Sequence, residues 1–191
     1  MFYSIGIALL TAATWRIEHR GTNWNLLLTT TRHPITLVLA KIAVVTAPVA
    51  FMQLVLVTGT LLSGTMIIDI DGPIPWQFAL AGVIAVVAAL PLIAFQTLLS
   101  FLLRSFAAPV AICLIGCVIG VATVTSDTLR PLSYIFPQAI NTRALNLGST
   151  ASAASGGLTV NDVLPLLGTA IGLAAVGALL SLGAIRTIKL R

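Results

Sequence analysis

Residues 15–34, WRIEHRGTNWNLLLTTTRHP, interrupt a chain that is otherwise mostly apolar. This connector contains three arginines, one glutamate, both histidines and two of the three tryptophans. A polar segment between two apolar runs cannot lie in the hydrocarbon of a bilayer without a large free-energy cost. Because arginine and lysine accumulate on the cytoplasmic side of membrane proteins, we expect the connector at the inner membrane surface.

The second half of the connector has the spacing of an amphipathic helix. Within residues 23–31, Trp24, Leu27, Leu28 and Thr31 share one face at intervals of three and four. The pattern predicts a short helix that lies against the membrane and meets a cytoplasmic partner. An ordinary charged surface loop is the alternative interpretation.

The composition is that of a polytopic membrane protein. Hydrophobic residues make up 58% of the chain, charged residues 8%, and the mean hydropathy is +1.08. Soluble domains carry about 25% charged residues. We therefore expect an all-α bundle of transmembrane helices forming one domain over residues 1–191. The net charge of +5 does not indicate nucleic-acid binding, because the basic residues lie in short loops and near the C-terminus.

Five apolar segments are expected to enter the membrane. The first is short, since a crossing needs about 20 residues. Residues 16–34 form the connector, and residues 126–162, a mixed apolar and flexible stretch, are expected to dip into or pack on the outer side. The five segments are residues 2–15, 35–63, 77–103, 107–125 and 163–185.

The charges predict an orientation. Eight basic residues fall on one side of this topology and two on the other, which is a strong positive-inside bias. It places the N-terminus outside and the C-terminus in the cytoplasm of a plasma-membrane protein. The inner group is Arg16, Arg20, Arg32, Lys41, Arg104, Arg186, Lys189 and Arg191; the outer group is Arg130 and Arg143.

Motifs for catalysis and nucleotide binding are missing from the sequence. It has neither a phosphate-binding P-loop nor an HExxH zinc motif, so we predict no catalytic, cofactor or metal residues. Cys113 and Cys117 share a helix face and are expected to pack as small hydrophobes, with a metal or redox pair as the alternative. Gln53 and Gln96 are candidates for a substrate path, and interhelical hydrogen bonding is the other interpretation.

The connector resembles a known family. Its sequence is similar to that of the cytoplasmic connector in type-2 ABC exporter permeases, most of all in the lantibiotic-immunity and bacitracin-resistance branch. The order and sidedness of the apolar segments also resemble that family along the whole chain. The residues that carry the likeness are Glu18, Gly21, Thr22, Trp24, Leu26, Leu27, Thr31, Arg32 and Lys41.

The resemblance implies a function. It makes the connector a coupling helix that docks on a separate ABC ATPase subunit, which binds ATP and Mg, while this chain holds no cofactor. It also implies a second permease copy or a sibling permease, export of a substrate such as a peptide antibiotic, and a re-entrant outer segment. The implied coupling residues are Glu18, Gly21, Trp24, Leu27 and Leu28.

One departure from the family pattern leaves other functions open. The family has six spans with both termini inside, whereas this sequence begins within the family's second helix, so we expect the first helix to be missing. A membrane assembly or immunity protein that does not transport is one alternative. A polytopic membrane enzyme using Glu18, His19 and His33 is another.

Overall fold

The computed structural model describes residues 1–19, 33–66, 76–147 and 158–189. These residues form an all-α bundle, and no strand occurs among them. A short 3₁₀ helix, Arg130–Tyr134, precedes α5. The α-helices are α1 (Phe2–His19), α2 (Pro34–Met66), α3 (Trp76–Leu102), α4 (Ala107–Thr125), α5 (Pro137–Leu145) and α6 (Val160–Lys189).

Four of the described helices, α2, α3, α4 and α6, are long and apolar enough to cross a membrane. Their ends lie within four residues of the predicted bounds, because long apolar runs are the strongest signal that a membrane sequence carries. Both α2 and α3 continue without a break through an internal proline, Pro48 and Pro91 respectively.

Helix α1 differs from its prediction at the C-terminal end. It spans 18 residues rather than ending at residue 15, so Arg16, Glu18 and His19 belong to the helix. At 1.5 Å per residue, it is about 27 Å long, close to the hydrocarbon thickness of about 30 Å. The helix continues past residue 15 because residues 16–19 contain no glycine or proline, and because Glu18 has a cationic partner inside the bundle.

The core consists of three layers along α3, the helix that contacts all the other α-helices. One layer joins Ile84, Ala85 and Ala88 of α3 to α5 and α6. The middle layer joins α3 to α1, α2 and α4 and contains Cys113 and Cys117. The third is built from Trp15, Val38, Phe101 and Ile185. The prediction that the two cysteines pack as small apolar side chains is confirmed.

The described part of the predicted outer segment packs back into the bundle. Helix α5 lies against α3 and α4, with Ala139, Ile140 and Asn141 fully buried. Gly120 permits this approach, since a Cβ atom there would lie 2.9 Å from the backbone nitrogen of Ala139. The Gly116/Gly120 pair, whose spacing lets helices approach closely, therefore packs on the short helix α5.

Candidate functional site

The two helices that flank the connector are joined by an ion pair. Lys41 Nζ lies 2.8 Å from Glu18 Oε1 and donates a second hydrogen bond, 2.9 Å long, to the carbonyl oxygen of Thr14. The ammonium group also lies 5.2 Å from the centroid of the Trp15 ring. Lys41 of α2 therefore contacts three residues in the last turns of α1.

Local sequence explains why these groups meet. Thr14, Trp15 and Glu18 lie on one face of α1 at intervals of one, three and four residues, and that face is turned towards α2. Trp15 is 1% exposed and packs edge-to-face on Phe101 of α3, with ring centroids 5.3 Å apart. Because the side chains of Glu18 and Lys41 are only 12% and 15% exposed, the pair is weakly screened by solvent.

The consequence for the connector is geometric. It leaves α1 at His19 and enters α2 at Pro34, and the ion pair ties those two helix ends together. A force applied to the connector would therefore act on α1 and α2 as a unit. This clamp, composed of Glu18, Lys41, Thr14 and Trp15, is the candidate functional site.

The predicted coupling residues fall into two groups. Glu18 is in the clamp, where it contacts Lys41 of its own chain. The structure directs the Lys41 ammonium group into the bundle, towards this carboxylate. Gly21, Trp24, Leu27 and Leu28 lie outside the described residues.

One of the two predicted path residues, Gln53, lines an open groove. The groove, of about 510 Å³, lies between α2, α3 and α5 and is bordered by Gln53, Thr60, Phe78, Gly82, Ala144 and Leu147. Gln53 also lines a neighbouring apolar groove of about 390 Å³ on the other side of Val57. Its side-chain amide makes no hydrogen bond to another residue in the described part of the chain.

Gln96 occupies a different environment. It is 1% exposed and lies within hydrogen-bonding reach of the Cys113 thiol on α4. It does not border either groove next to Gln53. Gln96 Oε1 has no hydrogen-bond partner among the described residues. The structure therefore separates the two glutamines, one at a groove and one inside the middle layer of the core.

The opposite end of the bundle contains polar groups that sequence reasoning missed. Arg143 of α5 is 4% exposed and donates to Ser133 Oγ at 2.8 Å and to the Tyr134 hydroxyl at 2.9 Å. Asn141 donates to Ser4 Oγ of α1 at 3.0 Å. The sequence carried no clear signal of this burial, because residues 126–147 mix polar and apolar side chains, and an arginine or asparagine is buried only when it has partners.

The histidines are not arranged as a catalytic pair with Glu18. The ring nitrogen Nε2 of His19 donates a hydrogen bond of 2.8 Å to the carbonyl oxygen of Ser100. Glu18 forms its ion pair with Lys41 instead. His33 lies at the start of α2 and is exposed. In the described ranges, no group of three His, Cys, Asp or Glu side chains is placed to hold a metal ion.

Comparison with known proteins gives one positive finding. A family model described as "ABC-2 family transporter protein" matches residues 1–120, which include the clamp and the whole connector. No curated protein matches, and no solved structure matches. ABC-2 proteins are membrane transport components that are usually non-catalytic and normally work with an ABC ATPase subunit. The chain belongs to the ABC-2 transporter family and is a multi-pass membrane permease component of an ABC transporter.

Proposed function

We propose that this chain is the permease subunit of an ATP-driven exporter in a bacterial plasma membrane. A separate ATPase subunit would hydrolyse ATP with Mg and drive substrate outwards through this chain and a second permease copy, identical or sibling. The observation that carries the proposal is the clamp. It lies inside the region that matches the family, and it joins the two helices between which the connector runs.

The clamp suggests how force reaches the membrane. Closure of the ATPase subunits would displace the connector, and the Glu18–Lys41 pair would make α1 and α2 move together. Both helices pack on α3, which extends from this end of the bundle to the layer containing α5. The transition would then be a rigid-body rotation of packed helices rather than a local rearrangement. In this scheme Glu18 is a positioning residue, and direct contact with the ATPase falls to Trp24, Leu27 and Leu28.

The proposed orientation follows from the positions of the charges. Arg16, Lys41 and Arg104 lie at the end of the bundle with Trp15 and Phe101, whereas Arg130 and Arg143 lie at the end with α5. The more basic end is assigned to the cytoplasm by the positive-inside rule. This assignment puts the connector within reach of a cytoplasmic ATPase.

The groove beside Gln53 is proposed as part of the substrate path. Its walls are mainly apolar, and Gln53 supplies a hydrogen-bonding group at its base. Such a surface suits a substrate with apolar side chains and accessible peptide groups, which is the chemistry of a membrane-active peptide antibiotic. Gln96, buried beside Cys113, would affect the path only by changing helix packing.

Protection of living cells tests the exporter proposal. Cells that express this chain with its cognate ATPase should survive a higher concentration of a lantibiotic or of bacitracin than cells whose ATPase lacks its catalytic glutamate. Gln53→Leu should reduce the protection, while Gln77→Leu, an exposed glutamine at the start of α3, serves as the matched control. Equal protection with the inactive ATPase would instead favour an immunity protein that does not transport.

A further inference from the structure

A basic cavity lies beside the clamp, between the last turn of α1 and the turn that joins α3 to α4. Its volume is about 460 Å³, and it is bordered by Arg16, His19, Arg104, Ser105, Phe106 and Ala107. A smaller, deeper extension reaches Ser100. Two guanidinium groups from different elements therefore converge on one opening.

No carboxylate of the described chain neutralises these arginines. Neither Arg16 nor Arg104 forms an ion pair with a described residue. On the proposed topology, Glu18 is the one acidic side chain at this end, and it already forms an ion pair with Lys41. The guanidinium group of Arg16 makes a cation–π contact with Phe106, at 5.5 Å from the ring centroid. This contact keeps the guanidinium group at the cavity.

Other donors face the same opening. The cavity includes Ala107, the first residue of the 19-residue helix α4, whose N-terminal end carries a partial positive charge. Ser100 is 3% exposed, lines the deeper extension, and its hydroxyl has no hydrogen-bond partner among the described residues. A buried, unpartnered hydroxyl beneath two unneutralised arginines indicates a site for an oxyanion.

The surroundings indicate that this anion comes from the bilayer. Ile17, Leu102 and Phe106 lie within two residues of Arg16 or Arg104 in the sequence and are 63%, 55% and 37% exposed. Apolar surface of this kind at the ends of membrane helices contacts acyl chains, and basic pockets between helices on the cytoplasmic side bind anionic lipid headgroups. A free phosphate ion would leave the apolar surface without a partner.

We propose that this cavity binds the headgroup phosphate of an anionic phospholipid from the inner leaflet. Arg16 and Arg104 bind the phosphate oxygens, and the acyl chains lie along Ile17, Leu102 and Phe106. A lipid in this position would connect the clamp helix α1 to the start of α4 beside the coupling connector. The proposal uses the orientation given above but does not depend on which substrate is exported.

Native mass spectrometry of the purified full-length chain tests this proposal. The chain is exchanged into dioleoyl phosphatidylglycerol or dioleoyl phosphatidylcholine, and the lipid retained per chain is counted. At about 1 kcal/mol per basic residue, preferential retention of phosphatidylglycerol should fall about fivefold for Arg16→Gln or Arg104→Gln and about thirtyfold for both. The matched control is Arg130→Gln with Arg186→Gln, which removes the same charge elsewhere and should leave the preference unchanged.

A second measurement separates the sources of the anion. Phosphatidylglycerol should raise the thermal unfolding midpoint of the native chain more than phosphatidylcholine or inorganic phosphate does, and the double glutamine variant should lose that difference. Equal stabilisation by inorganic phosphate would overturn the lipid assignment. Unchanged lipid retention in the variant, with lost retention of the ATPase, would also overturn it and assign the arginines to an acidic surface of the partner.

Discussion

The two ends of the bundle handle their charges differently. At the connector end, one lysine and one glutamate from different helices pair inside the protein, and Arg16 and Arg104 border an open cavity. At the α5 end, Arg143 is buried with the hydroxyls of Ser133 and Tyr134, both from the adjacent 3₁₀ helix. The first end contains charges that the described chain leaves unneutralised, whereas the second satisfies its arginine locally.

This difference indicates which end engages molecules outside the chain. The interactions of Arg143 span nine and ten residues of sequence, so they stabilise a compact cap that includes α5. The Glu18–Lys41 pair spans 23 residues and joins the two helices on either side of the connector, so in the proposed mechanism it would transmit displacement between them. We therefore propose that the first end serves coupling and that the second closes the bundle structurally.

Breaking the clamp should give the largest loss of stability. Lys41→Met leaves Glu18 buried without its cation, and loss of one partner of a buried pair costs about 3 kcal/mol. The free energy of unfolding, measured by denaturant titration in detergent, should fall by that amount. Glu18→Gln with Lys41→Met should recover more than half of it, because no unpaired charge remains. Strictly additive losses in this double-mutant cycle would contradict the clamp.

Replacing the buried arginine at the other end should cost less. Arg143→Met keeps an apolar stem of similar length but removes two charge-assisted hydrogen bonds, so we expect a loss of about 2 kcal/mol. Transport by the assembled exporter should change little once stability is matched by temperature. A large transport defect in a stable Arg143→Met protein would give the α5 end a role in coupling or in the substrate path.

The smallest expected effect concerns helix packing at the α5 end. Gly120→Ala forces a methyl group to within 2.9 Å of the Ala139 nitrogen, so the helices must separate, at a cost of about 1 kcal/mol. Gly168→Ala is the control, since nothing lies within 4 Å of a Cβ atom there. The control should be neutral or slightly stabilising, as alanine is the better helix former. Equal changes in stability at both sites would contradict the account, because they would show that the close contact at Gly120 has no effect of its own.

Much of the fold follows from apolar patterning, and much of the site does not. Four spanning helices could be located from the sequence because each is a long apolar run, and the positions of Arg16 and Arg104 at one end follow from the same topology. Glu18 and Lys41 are separated by the connector, so their contact depends on how α1 packs on α2. Glu18 is the lone acid of the predicted inner half, and Lys41 is predicted near the inner end of the next long apolar segment, which together were a usable signal of that pairing.

The α5 end was harder to predict for a different reason. Residues 126–147 mix prolines with apolar and polar side chains, so no single periodicity identifies a short helix that turns back into the bundle. The burial of Asn141 and Arg143 depends on Ser4 from α1 and on the 3₁₀ helix, which only tertiary structure brings together. The roles of Gly21, Trp24, Leu27 and Leu28 in coupling stay predictions.

The most direct test of the account is co-purification of the tagged chain with its cognate ABC ATPase in nanodiscs. We expect a stable complex with ATP hydrolysis, weakened at least tenfold by Trp24→Ala in the connector and unaffected by Trp76→Ala at the start of α3, a helix end assigned to the outer side. Retention of the ATPase to the same extent in both variants would contradict docking on the connector. Failure of the native chain to retain any ATPase would contradict the proposed coupling altogether.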